Sequence, residues 1–256
     1  LEVLESPHRN PLFYLDQTLG SVFELLLISS PIDEARARNI LLRLERFPHT
    51  LEAARSNLDR AVRPFAQVTI DSLDGIGGRL RRMETALAES YPGDLRQRLT
   101  TAVTQATKAL EAYSAWLHSR LDSMQTAFAL GPDAYQWFLT NVALLPYTPE
   151  ELLAQGSQAW SQAVVWDTLE RNRNRELPPL PLFESAERQV QAAALKEQEI
   201  RAFLEAHDLM SVPEWLKHYR NRPLPAHLEP LAFMGVTDDL TSETRRPGDA
   251  YGPTLA

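Results

Sequence analysis

The sequence predicts an all-α fold, an elongated multi-helix array of long antiparallel helices, on three observations. Apolar residues recur in steps of three and four, the spacing that draws one stripe along a helix. Capping signals stand where such stripes begin. No segment shows the alternation of period two that a half-buried strand requires.

The clearest stripe comprises Leu95, Leu99, Ala102, Val103, Ala106, Leu110, Tyr113, Leu117, Leu121, Met124 and Phe128. At 1.5 Å per residue, a helix of that extent is roughly 50 Å long. In chain order, helices are predicted near 11–29, 31–46, 49–61, 64–90, 94–129, 132–143, 149–176, 184–208 and 213–220. Ser30, Pro31 and Asp33 read as N-cap, N1 and N3 of the second. Gly131 suits a left-handed cap after Phe128, and Pro132 starts the next helix. Thr148-Pro149-Glu150-Glu151 has capping-box spacing, in which hydroxyl and carboxylate each satisfy an amide of the other. Ser211 and Glu214 repeat it. Two stretches break the pattern: the proline-rich connector at residues 177–181, and the proline- and glycine-rich residues from Arg222 onward, with a short helix expected near 227–234. The expected organisation is a helical domain over 1–220 and a tail or linker over 221–256.

Composition narrows the function. The 256 residues are 44% hydrophobic and 23% charged, enough to bury a core without a disulfide or metal staple. There is no cysteine, which removes thiol catalysis and cysteine-ligated zinc. The net charge of −8, with acids interspersed among the arginines, argues against nucleic acid as a partner. The most apolar stretch, 12–28, contains Asp16, Gln17 and Glu24, so no membrane span is expected. A cytoplasmic location is the expectation.

Candidate sites are few. None of His8, His49, His118, His207, His218 and His227 belongs to an H-E-x-x-H pair, so no metal ligand is assigned; Glu214 and His218, four apart, read as a surface pair. Gly75-Ile76-Gly77-Gly78 lies between Leu73 and Leu80 in a helical pattern, without the strand that a phosphate-cradling loop follows, and reads as a kink or close helix packing. Pro178 and Pro181 read as connector. Glu150-Glu151 suits a helix N-terminus, while Asp238-Asp239 has no visible partner. No G-x-S-x-G elbow is present. The catalytic set is therefore empty. The remaining feature is aromatic: Tyr135, Trp137, Phe138, Tyr147, Trp160 and Trp166 lie within 32 residues. The plain reading is packing between two helices. The alternative is a cleft wall, with Tyr135, Trp137 and Tyr147 contacting substrate.

Several blocks carry a family resemblance. These are Arg43-Leu44-Glu45-Arg46-Phe47-Pro48 followed by Leu51, Ala54, Asn57 and Leu58; Ala109-Leu110 through Trp116-Leu117; Gly131 to Tyr135; Tyr147-Thr148-Pro149-Glu150-Glu151-Leu152-Leu153 with Gly156; and Val212-Pro213-Glu214. Together they resemble the N-terminal portion of the bacterial domain of unknown function 885 family. The resemblance implies a helical, zinc-dependent peptidase of carboxypeptidase type, whose metal helix lies in the C-terminal half of such proteins. No residue of this sequence matches that helix, so no metal or catalytic residue is carried over. The implied role is an N-terminal helical lobe that meets a peptide substrate. The resemblance implies zinc only in a longer, full-length protein, and no cofactor is expected in this chain. The other expectation is a non-enzymatic helical scaffold or protein-interaction module.

Overall fold

The computed structural model describes residues 3–28, 31–178, 183–211, 222–223, 225–235 and 254–255. The fold is all-α. The sole extended pairing of named strands among the described residues is a two-residue parallel match of Arg222–Pro223 with Thr254–Leu255. The chain divides into two compact units: Leu1–Glu5 with Ala127–Leu182, and Ser6–Thr126 with Phe183–Ala256.

The second, larger unit holds the core. Its helices are α1 (Ser6–Arg9), α2 (Leu12–Leu15), α3 (Ser21–Leu27), α4 (Glu34–Asn57), α5 (Arg63–Ser72), α6 (Ile76–Leu87), α7 (Asp94–Arg120) and, further along, α10 (Ala186–Ala206). A π-helical turn, Asp16–Gly20, joins α2 to α3. The stripe read from the sequence is the buried face of α7: Leu95, Leu99, Ala102, Val103, Ala106, Leu110, Tyr113 and Leu117 all lie inside. They meet Ile40, Leu41, Leu44, Phe47, Leu51 and Ala54 of α4 in one hydrophobic cluster. Two buried tyrosines carry their hydroxyls to backbone carbonyls, Tyr113 to Pro11 at 3.1 Å and Tyr91 to Ala37 at 3.0 Å. Burial pushes both phenols above their ordinary range, so they remain neutral donors.

Four boundaries differ from expectation. Pro48 lies inside α4 and does not divide it. A helical proline removes one backbone hydrogen bond and clashes with the preceding turn, at about 3 kcal/mol. Here Leu44, Phe47, Leu51 and Ala54 are buried on both sides of an exposed Pro48, so packing on α7 holds one helix through the break. The N-cap of α4 is Asp33, whose carboxylate accepts from the Arg36 amide at 2.8 Å; Ser30 lies outside the described residues. The helix expected over 64–90 is two, because Gly75 adopts a left-handed conformation at φ 66°. Finally, α7 stops at Arg120, and a 3-10 turn follows at Leu121–Ser123. The chain then runs alongside Val62: the Gln125 amide donates to Ala61 and the Arg63 amide to Gln125. A continued helix could not make those bonds. The helix expected at 213–220 falls outside the described residues.

The glycine cluster is a packing device. A Cβ on Gly77 would stand 2.8 Å from Glu111 Oε1 and 3.1 Å from Thr107 Cγ2, both on α7. Gly77 thus lets α6 approach α7 closely.

The smaller unit contains α8 (Pro132–Asn141) and α9 (Pro149–Arg173). Gly131, at φ 86°, is the N-cap of α8, not the C-cap of the helix before it. The capping box of α9 forms as its sequence implies: Glu151 N–H donates to Thr148 Oγ1 at 3.2 Å, and Thr148 N–H donates to Glu151 Oε2 at 2.8 Å.

Candidate functional site

The α4–α7 core and the smaller unit treat their apolar residues in opposite ways. In the smaller one, Leu139 is the sole large apolar side chain that is buried among the described residues. The aromatic residues of 135–166 do not form the helix-to-helix core that their spacing suggested. Tyr135, Trp137 and Tyr147 are 43%, 37% and 39% exposed, and Trp160 reaches 73%. Phe138 alone is half-buried.

Helix α8 fixes where the first two point. Residues two apart on a helix do not share a face, so Tyr135 and Trp137 stand on opposite sides of α8 and cannot line one wall together. Tyr147 sits outside both helices, one residue before the N-cap of α9. The three residues singled out from sequence are therefore exposed, but α8 does not bring its two to one surface. The turn between the helices is tight. Ala143 N–H donates to the Phe138 carbonyl, Leu145 N–H donates to the Leu139 carbonyl at 2.9 Å, and Leu144 takes φ 55° between them. A leucine in that left-handed region is strained by about 1 kcal/mol.

The larger feature is α9, which sequence reading passed over as a site. Residues 152–166 contain no charged side chain over four turns. At 100° per residue, Leu153, Trp160 and Val164 occupy one side of the helix, while Val165, Trp166 and Leu169 occupy the others. Gln155, Gln158, Ser161 and Gln162 share the far side with Val165 and Leu169, so the wider apolar side, Leu152, Leu153, Trp160, Ala163 and Val164, is the one a neighbour would cover. Yet no residue of α9 is buried. Its six exposed large apolar side chains leave on the order of 700 Å² open in sum, taking usual side-chain areas. One side of a standard protein interface is about 800 Å². Charges appear only at the helix ends: Glu150 and Glu151 at the start, and Arg171 and Arg173 paired with Asp167 at 2.7 Å and Glu170 at 3.0 Å near the finish. These last pairs are exposed and contribute little. The signal was present in the sequence, as fifteen residues, 152–166, that carry two tryptophans and no charge.

The histidines do not assemble a centre. His8 pairs with Asp59 at 3.0 Å, and that contact holds the Asp59 carboxyl below its usual range. His207 lies against Phe203 and its carbonyl. His49 and His118 are exposed on α4 and α7. His227 is half-buried, and burial, then the charge of Arg36, holds its imidazole below the ordinary range. Among the described residues, no three His, Cys, Asp or Glu side chains are grouped to hold a metal ion. The described residues therefore offer no zinc site. Glu214, His218, Asp238 and Asp239 fall outside the described residues. No described helix is long and apolar enough to cross a membrane.

Comparison with known proteins gives one match. A family model described as a bacterial protein of unknown function (DUF885) matches residues 4–164, which is more than half of the chain. No curated protein and no solved structure matches the chain. The matched stretch takes in the α4–α7 core, α8 and the first part of α9, including the Arg43–Pro48 block, Thr148-Pro149-Glu150-Glu151 and Trp160. The chain therefore belongs to the DUF885 family of bacterial proteins.

Proposed function

We propose that this chain is the helical lobe of a zinc-dependent peptidase of carboxypeptidase type, and that residues 127–182 form its docking surface for the metal-bearing part of the enzyme. The observation that carries this reading is the exposed, uncharged helix α9 with its two tryptophans. Family membership supports the same reading. No step of hydrolysis is assigned to the residues described here, since they offer no metal site. The lobe contributes shape and contacts with the peptide. Either Tyr135 or Trp137, on opposite sides of α8, meets the peptide together with Tyr147.

A second reading draws on the same surface. An exposed, uncharged helix with two tryptophans suits a purely structural partner equally well, which makes the chain a non-enzymatic scaffold. The two readings separate in one experiment. Zinc content and hydrolysis of a mixed peptide library are measured on the product of the whole gene and on residues 1–256. Zinc and cleavage in the former, with neither in the latter, are expected. A whole-gene product without zinc or cleavage sinks the peptidase reading and leaves the scaffold. Stoichiometric zinc in residues 1–256 overturns the assignment of the metal to another part.

A further inference from the structure

The seam between α4 and α7 is closed along one part of its length and open along another. Nearer the start of both helices, Glu45 of α4 and Arg98 of α7 pair across it at 2.8 Å. Further along, Pro48, Leu51, Glu52 and Arg55 recur in steps of three and four and so share one side of α4. Lys108, Ala109 and Ala112 do the same on α7. The alanines carry nothing beyond Cβ to fill the space, and the two stripes bound a groove of about 350 Å³.

The groove has an apolar floor and two cations. Leu51 is buried, and Ala109 packs against the same hydrophobic cluster. Arg55 and Lys108 both line the groove. Arg55 is half-buried, and its Nε is closed off from solvent with no acceptor among the described residues. Glu52, the sole acid lining the groove among the described residues, approaches Arg55 Nη1 at 3.5 Å and is 73% exposed. So exposed and loose a pair neutralises little. Lys108 pairs with no carboxylate among the described residues. Opposite charges meet at the closed part of the seam, whereas two like charges meet at the open part, one of them already stripped of some of its water.

A cation that water solvates incompletely interacts more strongly with a counter-charge. The counter-charge that suits this groove is single and carried on an apolar body. Two cations against one acid leave the lining at +1, in a chain of net charge −8. That field disfavours a multiply charged anion such as phosphate. A carboxylate is the singly charged group that a guanidinium's nitrogens fit. Leu51, Ala109 and Ala112 have no polar side-chain atoms, so the floor favours apolar area. A cavity of about 150 Å³ holds benzene, so the groove has room for a ring with a carboxylate on a short arm.

We propose that the α4–α7 groove is a binding site for a small aromatic monocarboxylate. Arg55 and Lys108 hold its anion, and its apolar body lies on Leu51, Ala109 and Ala112. The site belongs wholly to the larger unit and stands independently of the peptidase reading.

The probe is 3-phenylpropionate, titrated into the full 256-residue chain at neutral pH and followed by NMR at the Ala109 and Ala112 amides and the Arg55 Nε–H. Saturable shifts with a Kd on the order of 1 mM are expected for a ligand of this size. Its amide, which has the same body and no charge, and acetate, which has the charge and no body, should each bind at least about tenfold more weakly. K108Q and R55Q should each weaken 3-phenylpropionate on the order of tenfold. Should R55Q fail to fold, K108Q, whose side chain is exposed, decides alone. The absence of saturable shifts, equal binding of the amide or of acetate, or an unchanged Kd in K108Q would each overturn the site.

Discussion

The unit built on α4 and α7 and the unit built on α8 and α9 are made of similar helices and end in opposite states. Both carry helices of more than twenty residues, and both have well-formed N-caps, Asp33 in one and Thr148 in the other. On α4 and α7 the buried apolar residues lie on one face and that face is filled, while α10 of the same unit leaves Leu195, Ile200 and Phe203 exposed. In α9 six large apolar side chains are exposed over more than one side, and no residue of the helix is buried. Local signals, the caps and the propensities, suffice to form a helix in either place. What separates the two is whether a partner element stands opposite the apolar residues. A core helix in solvent is a helix whose partner must be looked for.

The contrast can be broken most forcefully in the filled unit. Leu110→Ala removes a fully buried side chain from the α4–α7 seam and should cost about 2–5 kcal/mol in a denaturant titration. Trp160→Ala, which deletes a larger but exposed side chain, should change the stability of the same chain by less than about 0.5 kcal/mol. If Trp160→Ala destabilises as much as Leu110→Ala, α9 has a partner within the chain and the contrast fails.

Next in size is Pro48→Ala. If packing on α7 holds α4 together against its proline, replacing that proline should stabilise the chain by about 1–3 kcal/mol. A loss of stability would show that the bend at Pro48 is part of how α4 fits α7. Smaller effects follow from the glycines of α6. A Cβ at Gly78 meets nothing nearer than the end of Arg82, so Gly78→Ala should add up to about 1 kcal/mol from helix propensity. Gly77→Ala should lose that gain, because its Cβ presses on Thr107 and Glu111. Equal gains at the two positions would refute the close approach of α6 to α7. Smallest is Leu144→Gly, which relieves the left-handed leucine between α8 and α9. Its effect should be a gain below about 1 kcal/mol, read as slower exchange of the Leu145 amide.

How much of this the sequence revealed depended on whether a signal was local. The buried face of α7, the capping box at Thr148 and the proline start of α8 are local patterns, and each was legible. Pro48 was misread as a boundary because its local penalty is overcome by contacts with α7, more than forty residues away. The end of α7 was misread because Met124 and Phe128 continue the periodicity, while the bonds of Gln125 to Ala61 and Arg63 compete for the backbone. The candidate surface was legible only in part. The aromatic residues of 135–166 stood out, but periodicity cannot tell whether a tryptophan finds a neighbour, and core packing was the plainer reading.

The central claim is that the apolar surface of α9 is covered in the working protein. Hydroxyl-radical footprinting of Trp160 and Trp166 tests it directly, on residues 1–256 and on the product of the whole gene in its native assembly. The account predicts rapid oxidation of both rings in residues 1–256 and strong protection in the native assembly. Equal oxidation in the two would contradict it.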